Sequence, residues 1–195
     1  MDKALEESWF SQCLVNLLHD TTAPFRINTY HLIVAQSPRC LEDTMENTVR
    51  LRQFEEKDAA DLFDWGSKVN FSPAVNFYPV RSLTDAQFRV HAFAQDDQIQ
   101  AIMVNRHNVG YLELLAHDDG VSEVGLIIDP ALRGQGIASA VLKQIIGRHT
   151  PIAAVVDREN DPAKALFRKL GFHISAILPS WFKADPNKWE IWIWK

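Results

Sequence analysis

Arg133-Gly134-Gln135-Gly136-Ile137-Ala138 lies between a strand-like run and a helix-like run, and it decides how the chain is interpreted. Ahead of it, the apolar run 124–128 predicts a buried strand that Asp129-Pro130 ends. Behind it, apolar residues at i, i+4, i+5, i+8 and i+9 from Ile137 predict one face of a helix. The two glycines therefore stand where a helix begins.

A helix that begins at this point offers backbone N–H groups to an anion. The first four N–H groups of a helix have no partner within it, and the helix dipole places partial positive charge there. Glycine has no Cβ, so an anion can approach the main chain closely at Gly134 and Gly136. Arg133 adds a cation beside them. Together these features predict a site for a phosphate or a pyrophosphate.

A dinucleotide-binding fold is one interpretation of the glycines. Its fingerprint, G-x-G-x-x-G, directly follows a strand and has an acidic residue about 20 positions later. Gly134 and Gly136 are followed here by a helix, a strand and Asp157, but Ser139 stands at the third glycine position. Residues 129–133 also separate the strand from the glycines. A nicotinamide-dependent oxidoreductase is therefore the weaker alternative.

A second segment follows one strand later. It runs Asn160-Asp161-Pro162-Ala163-Lys164-Ala165-Leu166-Phe167-Arg168-Lys169-Leu170-Gly171-Phe172, and it resembles the segment N-x-x-A-x-x-L-Y-x-K-x-G-F of the GNAT superfamily of N-acetyltransferases. Arg133, Gly136 and Ala138 likewise resemble the Q/R-x-x-G-x-G/A motif with which that superfamily holds the pyrophosphate of acyl-CoA. The two motifs come in the family's order, and the resemblance covers about residues 47–195.

The predicted elements follow one another in an order that agrees with this resemblance. They are strand 49–54, helix 55–65, a helix from Thr84 toward Phe93, strands 99–105, 109–115 and 123–128, helix 136–147, strand 152–156, a helix after the N-cap Asp161, and strands 173–178 and 190–194. The resemblance implies an α/β GNAT fold. Its mixed, mostly antiparallel central sheet is flanked by helices, and its central strands splay apart.

Residues 1–46 precede the part of the chain that resembles the family. Apolar side chains recur at helical spacing over residues 5–18, and residues 27–35 are rich in strand formers. We expect this extension, a helix plus an extended segment, to pack on the main domain at 47–195. A homodimer contact or a partner-binding arm stays open as the alternative.

Composition excludes several classes of protein. A chain of 195 residues with 47% apolar residues is ordinary for one globular domain. The net charge of −5 and the pI of about 5.8 argue against nucleic-acid binding. Cys13 and Cys40 fit no metal pattern and suggest reduced thiols. With no apolar leader and no run of about 18 apolar residues, we expect a cytoplasmic protein without metal or membrane contact.

The resemblance implies acetyl-CoA as the cosubstrate, bound where the fourth and fifth strands part. The pantetheine arm pairs with backbone and the pyrophosphate with N–H groups of the glycine-containing turn. The implied contacts are the backbone of Leu126, Ile127 and Ile128, the N–H groups of Arg133, Gly134, Gln135, Gly136, Ile137 and Ala138, and Asn160 and Phe167 from the next helix.

The implied reaction is direct attack of a primary amine on the thioester in a ternary complex. An ammonium is no nucleophile, so Glu123 is the candidate general base, acting through water. A solvated carboxylate at a strand end is an equal alternative for Glu123. A backbone N–H near 126–128 is the expected donor to the oxyanion. The amine belongs to a small molecule or a protein, and the sequence does not distinguish the two.

Phe167 departs from the tyrosine with which many family members protonate the leaving thiolate. Three outcomes stay open. The thiolate leaves without a side-chain donor, since a thiol pKa of about 8.5 makes it a fair leaving group. Another donor such as Tyr111 or Ser175 acts, or the protein is a non-catalytic acyl-CoA-binding regulatory module. Trp181 and Phe182, in the loop before the last strand, either line the acceptor pocket or pack within that loop.

Overall fold

The computed structural model describes residues 49–68, 78–149 and 151–195. Within these ranges lie seven strands and four helices. The strands are β1 (Val49–Arg52), β2 (Ile99–Val104), β3 (His107–Ala116), β4 (Ser122–Ile128), β5 (Ile152–Asp157), β6 (His173–Ile174) and β7 (Trp189–Trp194). The helices are α1 (Ala59–Gly66), α2 (Leu83–Phe93), α3 (Ile137–Ile145) and α4 (Asp161–Lys169). The predicted extension 1–46 lies outside the described residues, as does most of the loop 67–81.

The strands form a single sheet in the order β1-β2-β3-β4-β5-β7-β6. Within the described ranges, β4 and β5 are the one parallel pair, and the other neighbours are antiparallel. β1 to β4 are joined without a parallel crossover, whereas α3 carries the chain from β4 to β5. The predicted mixed, mostly antiparallel sheet is confirmed.

Helices cover both faces of the sheet, as predicted. On one face α1 and α2 bury Leu62, Trp65 and Val90 against strand residues that include Tyr111 and Ile127. On the other face α3 and α4 contribute a core cluster with strand residues, among them Leu112, Val124, Ile137, Val141, Ile152 and Phe167. Because strand side chains alternate between faces, Glu123, Gly125 and Ile127 of β4 belong to the α1 and α2 face.

Two helices begin earlier than the sequence predicts. Ser82, rather than Thr84, caps α2, and its Oγ accepts the N–H of Asp85 at 3.1 Å. Asn160, rather than Asp161, caps α4, and its Oδ1 accepts the N–H of Ala163 at 3.2 Å. Each true cap lies one or two residues before another good capping residue, so composition alone could not separate them.

Candidate functional site

The sheet opens between β4 and β5. In the part of the chain that the structure describes, two residue pairs join these strands, Ser122 with Ile152 and Glu123 with Ala153. Beyond Glu123, β4 stays paired with β3, and β5 stays paired with β7. The two strands therefore part after Glu123 and leave a gap between their carboxyl-terminal halves.

The backbone of β4 directs polar groups into this gap. The N–H of Ser122 donates to the carbonyl of Pro151 at 3.0 Å, on the β5 side. The N–H of Asp129 donates to the carbonyl of Val109 at 2.8 Å, on the β3 side. Backbone groups of successive strand residues point to opposite sides. The residues whose N–H and C=O groups face the gap are therefore Val124, Leu126 and Ile128.

The backbone of Ile127 faces the other way. A Cβ placed on Gly110 of β3 would collide with the carbonyl oxygen of Ile127, which shows that this carbonyl points toward β3. The side chain of Ile127 is buried in the core under α1 and α2. The backbone groups of Leu126 and Ile128 thus face the gap, as the resemblance implies, and so do those of Val124, whereas those of Ile127 face β3.

A tight loop follows β4 and leads into α3. Asp129 accepts the N–H of Ala131 at 2.9 Å and so starts a single turn of 3-10 helix, Pro130–Leu132. Gly134 and Gly136 then have φ angles of +77° and +85°, a region that favours glycine. Among the described residues, no atom beyond the glycine and its two chain neighbours lies within 4 Å of a Cβ placed on Gly134 or Gly136. The space in front of both glycines is therefore open.

The N-terminus of α3 has the form of an anion site. Gly136 is its N-cap and, because glycine has no side chain, makes no side-chain capping hydrogen bond. The N–H groups of Ile137 and Ala138 in the first turn have no intrahelical acceptor, and the dipole adds positive charge. Arg133, Gly134 and Gln135 are exposed beside them. The structure thus brings the residues from Arg133 to Ala138 together in one turn that suits a diphosphate.

Asn160 and Phe167 lie on the β5 side of the gap and differ in accessibility. Asn160 uses its Oδ1 to cap α4, so its amide nitrogen is the group left for a ligand. Phe167 is 7% exposed, and its ring meets that of Phe172 edge-on with centroids 5.0 Å apart. The ring of Phe167 is therefore part of the core.

The two alternative proton donors are poorly suited to the task. Tyr111 is buried beneath α1 and α2, and burial raises the pKa of its hydroxyl, which makes it a weaker acid. Ser175 donates its hydroxyl to the carbonyl of Ile177 at 2.8 Å. Neither hydroxyl is thus an obvious acid for a leaving thiolate.

Glu123 lies at the last residue pair before the strands part and is held by a neighbouring ring. Its Oε2 is 2.9 Å from Nε2 of His117, and both side chains are partly buried. A carboxylate only accepts hydrogen bonds, so the ring donates. The His117 ring stacks on Trp181 at 4.0 Å between centroids, and Trp181 Nε1 donates to Asp119 at 3.0 Å. The loop before β7 is thus connected to Glu123.

A pocket of about 390 Å³ lies beside this stack. Its described lining is Ala116, His117, Asp118, Asp119, Ser180 and Trp181. Trp181 lines the pocket, whereas Phe182 is not among the described lining residues. The two aspartates give the pocket a negative rim that suits a cation. The sequence interpretation did not single out His117, whose backbone N–H donates to the carbonyl of Val121 while its ring reaches Glu123 diagonally across the hairpin.

Glu113 is a second carboxylate at this point, and the sequence interpretation missed it. It lies on β3 opposite Gly125 and on the same face as Glu123. Its Oε2 is 3.2 Å from the place where a Cβ on Gly125 would stand. Burial, and then the negative charges of Glu123 and Asp96, raise the pKa of Glu113 to about 7. The sequence did hold a signal for this site, because Glu113 is the one charged residue in the otherwise mostly apolar predicted strand 109–115.

Within residues 49–68, 78–149 and 151–195, no group of three or more His, Cys, Asp and Glu side chains could hold a metal ion. The helices of the same ranges include none that is long and apolar enough to cross a membrane.

Comparison with known proteins agrees with this geometry. A family model described as an acetyltransferase (GNAT) domain matches residues 48–173. Among curated proteins, none matches the chain.

Several solved structures have a similar fold. The microcin C7 self-immunity acetyltransferase MccE, in complex with acetyl-CoA and AMP, is 14% identical with a TM-score of 0.60, over 76% of this chain and 93% of that one. Spermidine N-acetyltransferase from Vibrio cholerae, in complex with CoA and spermine, is 19% identical with a TM-score of 0.56, and the match covers 75% of this chain and 94% of that one. An acetyltransferase from Salmonella typhimurium that modifies the N-terminal serine of ribosomal protein L7/L12 is 16% identical with a TM-score of 0.57, over 76% and 94%. At these identities the likeness concerns the fold.

Proposed function

The chain belongs to the GNAT acetyltransferase family, and from that premise we propose that it transfers the acetyl group of acetyl-CoA to a primary amine within a ternary complex. One observation carries the proposal. The gap between β4 and β5 is lined by backbone N–H and C=O groups, and it leads to a helix N-terminus with no side-chain cap among the described residues and two glycines at positive φ. An extended arm that ends in a diphosphate matches both features.

The residues of this chain fit acetyl-CoA along its length. Gap-facing backbone groups of Leu126 and Ile128 suit the amides of pantetheine, as an added strand would. The N–H groups of the turn from Arg133 to Ala138 suit the pyrophosphate. Asn160 offers an amide nitrogen from the opposite side of the gap. When bound, acetyl-CoA supplies the acetyl group as a thioester.

The rate comes from placement and from charge stabilisation. A gap-facing N–H, at Val124 or Leu126, is fixed by the pairing of β4 with β3 and is available to an oxyanion without reorganisation. Holding the amine and the thioester together removes much of the entropic barrier. Removal of the ammonium proton falls to a carboxylate where the strands part, Glu123 or Glu113, directly or through water.

The acceptor is a small cationic amine in this proposal. The pocket of about 390 Å³ lies beyond Glu123, at the end of β4 opposite the pyrophosphate turn, and Asp118 and Asp119 line it. Carboxylates at a pocket rim raise the local concentration of a cation. The V. cholerae neighbour holds spermine and the S. typhimurium neighbour modifies a protein N-terminus, so both acceptor types belong in the test.

The test is to incubate the protein with acetyl-CoA and a panel of amines. Diamines, polyamines, amino acids and short peptides with free N-termini represent the acceptor classes. We expect free CoA, measured with a thiol reagent, to appear only when an amine is present, together with an acetylated product in the mass spectrum. The second candidate, a non-catalytic acyl-CoA-binding module, is favoured by Phe167. It prevails if acetyl-CoA binds but no amine releases CoA.

A further inference from the structure

We propose that Glu113 is the proton acceptor of this reaction and that Glu123, held by His117, is a fixed anion beside it. The inference rests on the proposed function and assigns different roles to the two carboxylates. It follows from their positions, from their partners and from the charges around them.

The position of Glu113 on the sheet favours it over Glu123 as the proton acceptor. It is paired with Gly125, the residue between the gap-facing amides of Val124 and Leu126. Because Gly125 has no side chain, the Glu113 carboxylate lies over this part of β4, with Oε2 3.2 Å from the absent Cβ. A thioester carbonyl held by those amides would lie next to it. Glu123 is two residues further toward the closed end of the gap, which is about 7 Å along the strand.

The hydrogen-bond partners of the two carboxylates also distinguish Glu113 from Glu123. Glu123 has one oxygen engaged by His117 at 2.9 Å, and that ring is itself packed on Trp181. Within the described residues, the influences on the ionisation of Glu113 are burial and like charges, with no hydrogen bond among them. Glu123 is therefore oriented, whereas both oxygens of Glu113 are available to an amine or to a bridging water.

The charges around Glu113 suit a base that works near neutral pH. The titratable groups that act on it are Glu123 from β4 and Asp96 from the turn after α2. Tyr111 lies two residues away on the same face of β3, and Arg89 of α2 acts on Tyr111. The resulting pKa of about 7 leaves Glu113 ionised in a large fraction of molecules at neutral pH. Two carboxylates in unlike environments commonly divide acid–base roles in this way.

In the proposed step, two protons leave the ammonium as the amide forms. Glu113 takes one proton from the ammonium, and the amine lone pair forms the C–N bond at the thioester carbon. The C–S bond then breaks, and its electron pair leaves on the CoA sulfur. The second N–H proton, released as the amide forms, neutralises the thiolate through water. Glu113 returns its own proton to solvent after the product leaves.

The test is the pH dependence of kcat/KM, with acetyl-CoA saturating, for the wild type and for Glu113→Gln, Glu113→Asp and Glu123→Gln. We expect the wild-type profile to have a limb near pH 7, in which kcat/KM rises with pH as the base loses its proton. Glu113→Gln should lose that limb and fall by on the order of 10²–10⁴-fold in rate, and Glu113→Asp should restore part of the rate. Glu123→Gln should keep the limb but move it to lower pH, because a neighbouring negative charge is gone.

Two controls establish that the variants keep their structure. The affinity for acetyl-CoA, measured by calorimetry, should be unchanged in all of them, and the exposed Glu56→Gln should match the wild type throughout. An active wild type whose limb persists in Glu113→Gln, or disappears in Glu123→Gln instead, overturns the inference alone. A wild type that binds acetyl-CoA and acetylates no amine overturns the proposed function and the inference with it.

Discussion

Replacing Glu113 by glutamine should stabilise the folded protein at high pH. The native pKa of this carboxyl is about 7, against 4.5 for an ordinary glutamate. Between those values the native state keeps a proton that the unfolded chain has lost, so the free energy of unfolding falls as pH rises. Glutamine has nearly the same shape as glutamate but carries no charge. The substitution therefore removes this fall in the free energy of unfolding.

The size of the effect follows from the two values. Each unit of pKa difference corresponds to 1.36 kcal/mol, so a rise from 4.5 to about 7 corresponds to about 3 kcal/mol. The stability contribution is fully present below the unfolded value of 4.5 and is lost once the pH has passed about 7. We therefore expect the stability difference between Glu113→Gln and the wild type to grow by up to about 3 kcal/mol over that window.

The assay is urea unfolding followed by tryptophan fluorescence at several pH values across the window. Titrating groups that do not interact with Glu113 contribute equally to both proteins and cancel in the difference. Glu56→Gln, at an exposed site on the same domain, is the matched control and should give a constant difference. If the difference for Glu113→Gln is also independent of pH, burial and like charge do not raise the pKa of Glu113.

Three further substitutions test other parts of the site. Gly136→Val places a β-branched side chain at a φ of +85° in front of the anion site. We expect the affinity for acetyl-CoA, measured by calorimetry, to fall at least about tenfold. An equal affinity would contradict the role of that turn. Asn160→Ala should cost about 1 kcal/mol of stability by removing the cap of α4, whereas Asn160→Asp should cost little, and equal losses in urea unfolding would exclude capping. Trp181→Ala should raise KM for the amine severalfold without changing the affinity for acetyl-CoA, while a change confined to acetyl-CoA would place the pocket elsewhere.

Local patterns in the sequence were sufficient to predict the order of elements and the glycine-containing turn at the start of α3. Gly134, Gly136 and the apolar face of α3 lie within one short segment, so their arrangement depends on neighbours in the chain. The opening of the sheet was expected from the resemblance, and the two-pair contact of β4 with β5 confirms it. The turn and the helix that follows it need no information about distant contacts, whereas the opening depends on how β4 and β5 pair.

Features that depend on strand register could not be predicted in the same way. Within the apolar run 124–128, the sequence does not show which backbone groups face the gap. Pairing with β3 decides that those of Leu126 face the gap and those of Ile127 do not. Glu113 meets Gly125 because two strands are aligned across a hairpin, and the stack of His117 on Trp181 joins residues far apart in sequence. The position of Glu113 beside Glu123 and the pocket lined by His117 and Trp181 therefore follow from the fold and not from local sequence.

We propose that acetyl-CoA lies in the gap between β4 and β5 with its pyrophosphate on the turn from Arg133 to Ala138. Amide ¹H–¹⁵N spectra recorded during a titration with acetyl-CoA test this placement. We expect saturable shifts at Gly134, Gly136 and Ala138 and at the gap-facing amides of Leu126 and Ile128, with none caused by NADH. Saturation by acetyl-CoA with these amides unmoved, or equal shifts from NADH, would contradict it.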